Sequence, residues 1–158
     1  IQRKEMFIPY NSYKLAQPGL TFKDIVMNGH NNPELKRYEL HRVWVVEATL
    51  KPGFRHLSPH RFAYIDEDSW DGALGDMFDA RGDLWRVSEE YLMNFYNVPL
   101  PYFWGDDHTD LMSGRHSALN AFYNVGPKGI AAPPDFSVKG KPDLELYTPA
   151  GLRKFGVR

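Results

Sequence analysis

The sequence predicts a mainly β protein, with a curved antiparallel meander sheet and a short C-terminal helix. Three observations favour this class. Aromatic residues make up 15% of the 158 residues, and aromatic side chains are enriched in strands. Apolar and polar residues alternate along residues 38–50, which is the period of a strand. Turn residues separate the later apolar segments, so we expect consecutive strands to pair as hairpins.

Length and composition limit the possible classes of protein. A chain of 158 residues predicts a single domain, spanning residues 1–158. The net charge of −1 gives no attraction to phosphate backbones, so we expect no nucleic-acid partner. No apolar run approaches the length of a membrane span, so none is expected. The chain has no cysteine, which excludes disulfides, thiol catalysis and Cys-based zinc sites.

Residues 1–37 are predicted to form an irregular N-terminal segment. Proline and glycine recur along it, and residues 28–32 read as a polar loop. Only residues 4–8 have the pattern of a short strand.

The antiparallel sheet is predicted over residues 38–124. Its clearest strand, 38–50, would extend roughly 43 Å, a length typical of a large curved sheet. Lys51-Pro52-Gly53 ends it with a turn. Further strands are expected at 61–66, 70–79 and 84–98, followed by a hairpin of 102–112 with 115–124.

The remainder of the chain is predicted to be a loop and a helix. Glycine and proline are frequent in residues 125–147, which predicts a surface loop. Residues 148–156 read as a short helix. Thr148 suits its N-cap, Pro149 its first position and Gly156 its end.

Candidate metal and catalytic motifs are weak, and we expect no enzyme activity, no metal site and no cofactor. His56 and His60 have the spacing of a helical metal pair, but Pro59 between them opposes a helix. Residues 106–110 are rich in carboxylates but lack the glycine and distal glutamate of a calcium loop. There is no Gly-x-Ser-x-Gly elbow and no phosphate-binding glycine loop.

The aromatic and apolar strand residues suggest a binding surface. A sheet with few helices leaves an apolar face that a ligand, another part of the polypeptide or a partner must cover. Trp44, Val46, Phe62 and Tyr64 are the predicted ligand-binding residues. Ordinary core packing is the alternative for such side chains. Which face binds stays open, because Val43 and Val45 give the other face of the same strand an apolar character.

Four stretches together resemble a known family. They are residues 37–51 (RYELHRVWVVEATLK), 64–70 (YIDEDSW), 81–87 (RGDLWRV) and 110–115 (DLMSGR). On these motifs the chain is similar to the C-terminal part of the domain-of-unknown-function 1329 family of Gram-negative bacteria, which is described as outer-membrane lipoprotein-sorting-like. The resemblance runs through most of residues 1–124 and resumes at 148–155.

The resemblance implies a fold, a location and a longer parent protein. The family is grouped with the lipoprotein carriers LolA and LolB, which implies an incomplete barrel that holds acyl chains. It also implies a periplasmic protein, with outer-membrane association as an option. Family members are longer, so the chain is expected to be a fragment. The family carries no established enzymatic activity to transfer.

Three functional hypotheses follow. The first is a periplasmic binding or carrier domain for a lipid or other hydrophobic molecule. The second is an interaction module of an envelope transport system, which docks on a protein partner or forms a homodimer. The third is a hydrolase with dispersed carboxylates, which requires a cleft where two acids have perturbed pKa values.

Overall fold

The structure is a computed structural model that describes residues 1–17, 19–96, 99–119, 145 and 148–156. Its main element is a seven-stranded antiparallel sheet that is not closed into a barrel. The strands are β1 (Gln2–Pro9), β2 (Val26–Met27), β3 (His30–Asn31), β4 (Tyr38–Thr49), β5 (His60–Asp66), β6 (Gly72–Phe78), β7 (Leu84–Phe95), β8 (Leu100–Asp110) and β9 (His116–Leu119). The helices are α1 (Phe22–Ile25) and α2 (Pro149–Gly156), and 3-10 turns cover Tyr13–Ala16 and Pro33–Leu35.

The strand order confirms the predicted class and meander. The order is β1-β4-β5-β6-β7-β8-β9, so strands β4 to β9 follow one another as hairpins. β1 joins the edge beside β4, and β2 and β3 pair in a separate small sheet. None of the helices in the described ranges has the length and apolar character needed to cross a membrane.

The sheet is strongly curved. β1 and β7 are separated by three strands, which in a flat sheet places them about 19 Å apart. Tyr10, the residue that follows β1, nevertheless forms a parallel bridge with Leu92 of β7. A single residue advances the chain by only about 3.8 Å. The sheet must therefore bend to bring the end of β1 close to β7.

The N-terminal segment is more regular than its sequence suggests. β1 runs from Gln2 to Pro9 and pairs with β4 along its whole length. Its first residues are polar because they lie exposed at the sheet edge, and this hides the start of the strand.

At the C-terminal end of the chain, Thr148 caps α2 as predicted, since its Oγ1 accepts from the Gly151 amide at 3.0 Å. Two predictions fall outside the described residues: the last part of the sheet, 120–124, and the surface loop 125–147 apart from Glu145.

Strand register divides the side chains between two faces, which we name the packed face and the open face. The packed face carries Val43, which is opposite Lys4 of β1 and Asp66 of β5. The open face carries Trp44, which is opposite Arg3 and Ile65. The fully or nearly buried cluster on the packed side consists of Ile8, Tyr10, Val43, Ala73 and Leu92.

Residues 11–17 and 19–37, here called the cover, pack over the packed face at β7–β9. Leu15 and Ile25 of the cover are fully buried and form a second cluster with Tyr91 of β7. Trp104 and Ala118 pack against this cluster from β8 and β9. Side chains of the cover and of the sheet thus together form the hydrophobic core at β7–β9.

A nearly buried ion cluster fixes the cover to the sheet. The Lys36 Nζ contacts the Glu89 carboxylate and lies 3.2 Å from Asp107 Oδ2. The Lys36 side chain is 10% exposed and that of Asp107 5%. Asn31 Nδ2 and the Tyr91 hydroxyl also donate to Asp107, at 2.9 and 2.5 Å. Each charge is thus both paired and hydrogen-bonded, the condition under which a buried ion pair is tolerated.

Replacing Lys36 by methionine should destabilise the fold by about 3 kcal/mol, because two carboxylates then remain buried without a cation. The free energy of unfolding in urea measures this loss. Arg81→Met is the matched control. Arg81 pairs with Asp79 and Asp83 on the surface, so its loss should cost less than about 1 kcal/mol. Equal effects of the two substitutions would contradict the role assigned to Lys36.

Candidate functional site

A partly open cavity of about 290 Å³ lies on the open face and spans strands β4 to β8. Most of its open-face lining is apolar or small, namely Val46, Ala48, Ala63, Gly72, Gly75 and Met77, and Arg61 of β5 adds one charged side chain on the same face. Polar residues border it on the β7–β8 side: Ser88, Glu90 and His108. The cavity therefore has a largely apolar floor, with Ser88, Glu90 and His108 at one end, here called the polar end, and Arg61 on the β5 side.

The cavity arises from one row of residues across the sheet. Val46 is opposite Ala63, and Ala63 is opposite Gly75. The row continues through Ser88 to His108. Directly opposed residues point to the same face. The three central residues of the row are alanine, glycine and serine, so short side chains leave a depression between larger neighbours.

Gly75 forms part of the floor of the depression. A Cβ added at this position would lie 3.7 Å from the Ser88 Cβ and 3.8 Å from the Phe62 carbonyl oxygen. Both distances are ordinary van der Waals contacts, so the backbone accepts a side chain there. A larger side chain at Gly75 would occupy the cavity.

The polar end contains a hydrogen-bonded row of three side chains. The Ser88 Oγ lies 2.7 Å from His108 Nδ1, and His108 Nε2 lies 2.9 Å from Asp106 Oδ2. The other oxygen of this carboxylate, Asp106 Oδ1, is buried and has no hydrogen-bond partner in the described part of the chain. Among the described residues, this carboxylate therefore has its hydrogen bond to the imidazole.

Glu90 lies beside this row, opposite Asp106. Burial, together with the nearby charges of Asp71 and Asp106, raises the pKa of Glu90 to about 7. The carboxyl is therefore largely protonated below neutral pH. A protonated carboxyl donates a hydrogen bond, whereas an ionised one only accepts.

The predicted ligand-binding residues divide between the two faces. Val46 lines the cavity, and Trp44 lies on the same face, two residues along β4. Phe62 borders the cavity, but its register opposite Glu47 places its ring on the packed face, where it contacts Phe78.

Tyr64 is also directed to the packed face, because it is opposite Val45. Its hydroxyl donates to Asp76 Oδ2 at 2.7 Å, and its ring packs against the buried cluster. The structure therefore does not bring the four residues around one cavity. Their role in ligand binding stays a prediction.

Sequence reasoning missed the small residues of the row and the polar end. Ala63, Gly75 and Ser88 carry no signal of their own, since their importance depends on strand register. Period-two alternation places Ser88 with Glu90 and Asp106 with His108, one pair on each of two strands. It does not say that these two strands are neighbours in matching register.

A further group of side chains resembles a metal site in composition. His41, Asp66 and Asp68 bring potential ligand atoms within 4.8 Å of one another. Asp66, however, is fully buried and already accepts from His41 Nδ1, from the Ser69 amide and from the Ser69 hydroxyl. These hydrogen bonds give Asp66 a structural role, because they hold the turn between β5 and β6 and connect it to His41 of β4. His56 and His60 do not converge, since His56 contacts Arg61 and His60 contacts Glu47.

Comparison with known proteins identifies the family. An uncharacterized protein of Pseudomonas aeruginosa, PA3922, is 46% identical over 156 residues, which cover 99% of this chain and 33% of that protein. The chain therefore spans about a third of the length of this curated relative. No solved structure matches the chain, so the likeness to the lipoprotein carriers stays a prediction. The family described as "Protein of unknown function (DUF1329)" matches residues 1–153, and the chain belongs to this family.

Proposed function

We propose that this domain binds a lipid or another hydrophobic molecule in the cavity of the open face. The observation that carries the proposal is the row of small residues, Ala63, Gly75 and Ser88, which leaves an apolar depression on the side of the sheet opposite the cover. An apolar cavity with a few polar groups at one end is the usual form of a small-molecule site.

The size of the cavity limits what it can hold. At about 290 Å³ it lies near the lower end of the range for ligand sites. It suits a short hydrophobic molecule or one segment of a longer acyl chain. Burial of apolar surface contributes about 25 cal/mol per Å² before the costs of association are subtracted.

The proposal includes a periplasmic location, with association with the outer membrane as an option. Its support is the resemblance of four sequence stretches to a family described as lipoprotein-sorting-like. Osmotic-shock fractionation of cells that express the full-length protein tests the location, because a periplasmic protein is released by the shock and a cytoplasmic marker is not.

A specific observation supports a second candidate, an interaction module. Phe7 of β1 and Leu40 of β4 are directly opposite each other on the open face. They are 64% and 59% exposed. Large apolar side chains that remain adjacent and exposed are typical of protein interfaces. A protein partner of an envelope transport system or a second copy of the chain would bury this pair.

Gly75→Leu should abolish ligand binding without unfolding the domain, because the leucine occupies the cavity while its Cβ makes only ordinary contacts. Titration with the apolar dye N-phenyl-1-naphthylamine measures binding. We expect the Kd to rise by at least about tenfold. Ala80→Leu, in the exposed β6–β7 turn, adds similar bulk outside the cavity and should leave the Kd unchanged. Equal dye binding by Gly75→Leu and the parent would reject this cavity as the site.

The double substitution Phe7→Ser and Leu40→Ser separates the two candidates. Both residues lie outside the cavity lining, so dye binding should persist under the first proposal. Sedimentation velocity on the parent chain and on the variant reports self-association. A concentration-dependent dimer of the parent that dissociates in the variant, with no dye binding by either protein, would replace the binding proposal by the interaction module.

A further inference from the structure

The row Ser88–His108–Asp106 has the connectivity of a nucleophile, a base and an orienting acid. Its two contacts, 2.7 Å and 2.9 Å, are both within hydrogen-bond range. The neutral histidine tautomer with its proton on Nε2 fits both contacts. In this tautomer Nδ1 accepts from the serine hydroxyl and Nε2 donates to the carboxylate.

Three features distinguish this row from an ordinary cross-strand hydrogen bond. Ser88 and His108 line the apolar cavity. Asp106 Oδ1 has no hydrogen-bond partner in the described residues, so no other donor there competes with His108 for this carboxylate. Glu90 borders the same cavity, two residues from Ser88 on the same face.

We propose that the cavity is a site of ester hydrolysis, with Ser88 as nucleophile, His108 as base, Asp106 as positioning residue and Glu90 as donor to the carbonyl oxygen. The substrate class is a carboxylic ester whose short apolar acyl chain lies between Ala63, Gly75 and Met77. This inference rests on the proposed binding of a hydrophobic molecule in the same cavity. Ser and His on neighbouring strands leave no linear motif, which is why the sequence gives no elbow signature.

The reaction proceeds in two balanced halves. The Ser88 Oγ bonds to the carbonyl carbon while its proton passes to His108 Nδ1. The carbon–oxygen bond to the alcohol then breaks, and the departing oxygen takes this proton. A water molecule then bonds to the carbonyl carbon of the acyl-serine while one of its protons passes to His108 Nδ1. The bond from this carbon to the Ser88 Oγ breaks, which releases the acid, and the proton returns from His108 to Ser88.

Glu90 acts through its protonated form. The charges that act on it are those of Asp71 in the β5–β6 connection and of Asp106, its opposite residue on β8. The other charged or titratable groups of the open-face lining are Arg61 and His108. Its environment raises the pKa of the carboxyl to about 7, so a donor is present at and below neutral pH. A protonated carboxyl that stabilises an oxyanion has precedent in enzymes.

A serine-directed fluorophosphonate and hydrolysis of p-nitrophenyl butyrate test the proposal on the full 158-residue chain. We expect one covalent adduct, mapped to Ser88 by peptide mass spectrometry. Ser88→Ala should lose both the adduct and the hydrolysis, while Ser113→Ala, a serine in the β8–β9 turn, should keep both. Asp106→Asn should lower kcat on the order of a hundredfold with KM unchanged, the mark of a positioning residue.

Two further variants test Glu90. Hydrolysis by the parent should fall above about pH 7 as the carboxyl ionises. Glu90→Gln keeps a donor and should remain active with this decline removed, whereas Glu90→Leu should lose activity at every pH. Identical pH profiles for the parent and Glu90→Gln would reject this role.

The outcomes distinguish this inference from the binding proposal. Dye binding without a Ser88 adduct and without hydrolysis would overturn the hydrolase while the binding site stands. Absence of dye binding, adduct and hydrolysis would overturn both. Hydrolysis that persists in Ser88→Ala would also reject the proposal, since another group would then carry the reaction.

Discussion

The contact of Lys36 with Glu89 and Asp107 is the constraint on which the architecture depends. Buried charges are tolerated only when paired and hydrogen-bonded, and removal of one partner is costly. The cover must therefore lie where Lys36 can reach both carboxylates, which is over β7 and β8. Since Glu89 and Asp107 point to the packed face, the opposite side of these strands is left for the cavity.

Alternation along β7 and β8 gives the two faces different chemistry. Glu89 and Asp107 hold the cover, while their immediate neighbours Ser88, Glu90 and His108 border the cavity. A shift of one residue in register would exchange these two sets. The ion cluster on one face thus also specifies which polar groups stand at the end of the cavity on the other.

Local signals predicted the elements that depend on local chemistry. The strand β4 follows from alternation within its own residues, and the cap of α2 follows from Thr148 and Pro149. β1 was predicted over residues 4–8 and extends to Gln2–Pro9, because an exposed edge strand is free to have polar residues at its start. The choice of Phe62 and Tyr64 as partners of Trp44 and Val46 failed to give one surface, because antiparallel register places Ala63 and Ile65 opposite that pair.

The cavity itself shows why a single sequence does not reveal such a site. Its floor consists of residues that are small, and small residues are common in loops, turns and cores alike. The depression forms because the register of β5, β6 and β7 places the small residues Ala63, Gly75 and Ser88 side by side. The same register places Ser88 opposite His108 and Glu90 opposite Asp106. A binding surface of this kind is a property of strand pairing, and strand pairing is fixed by contacts between segments that are distant in the chain.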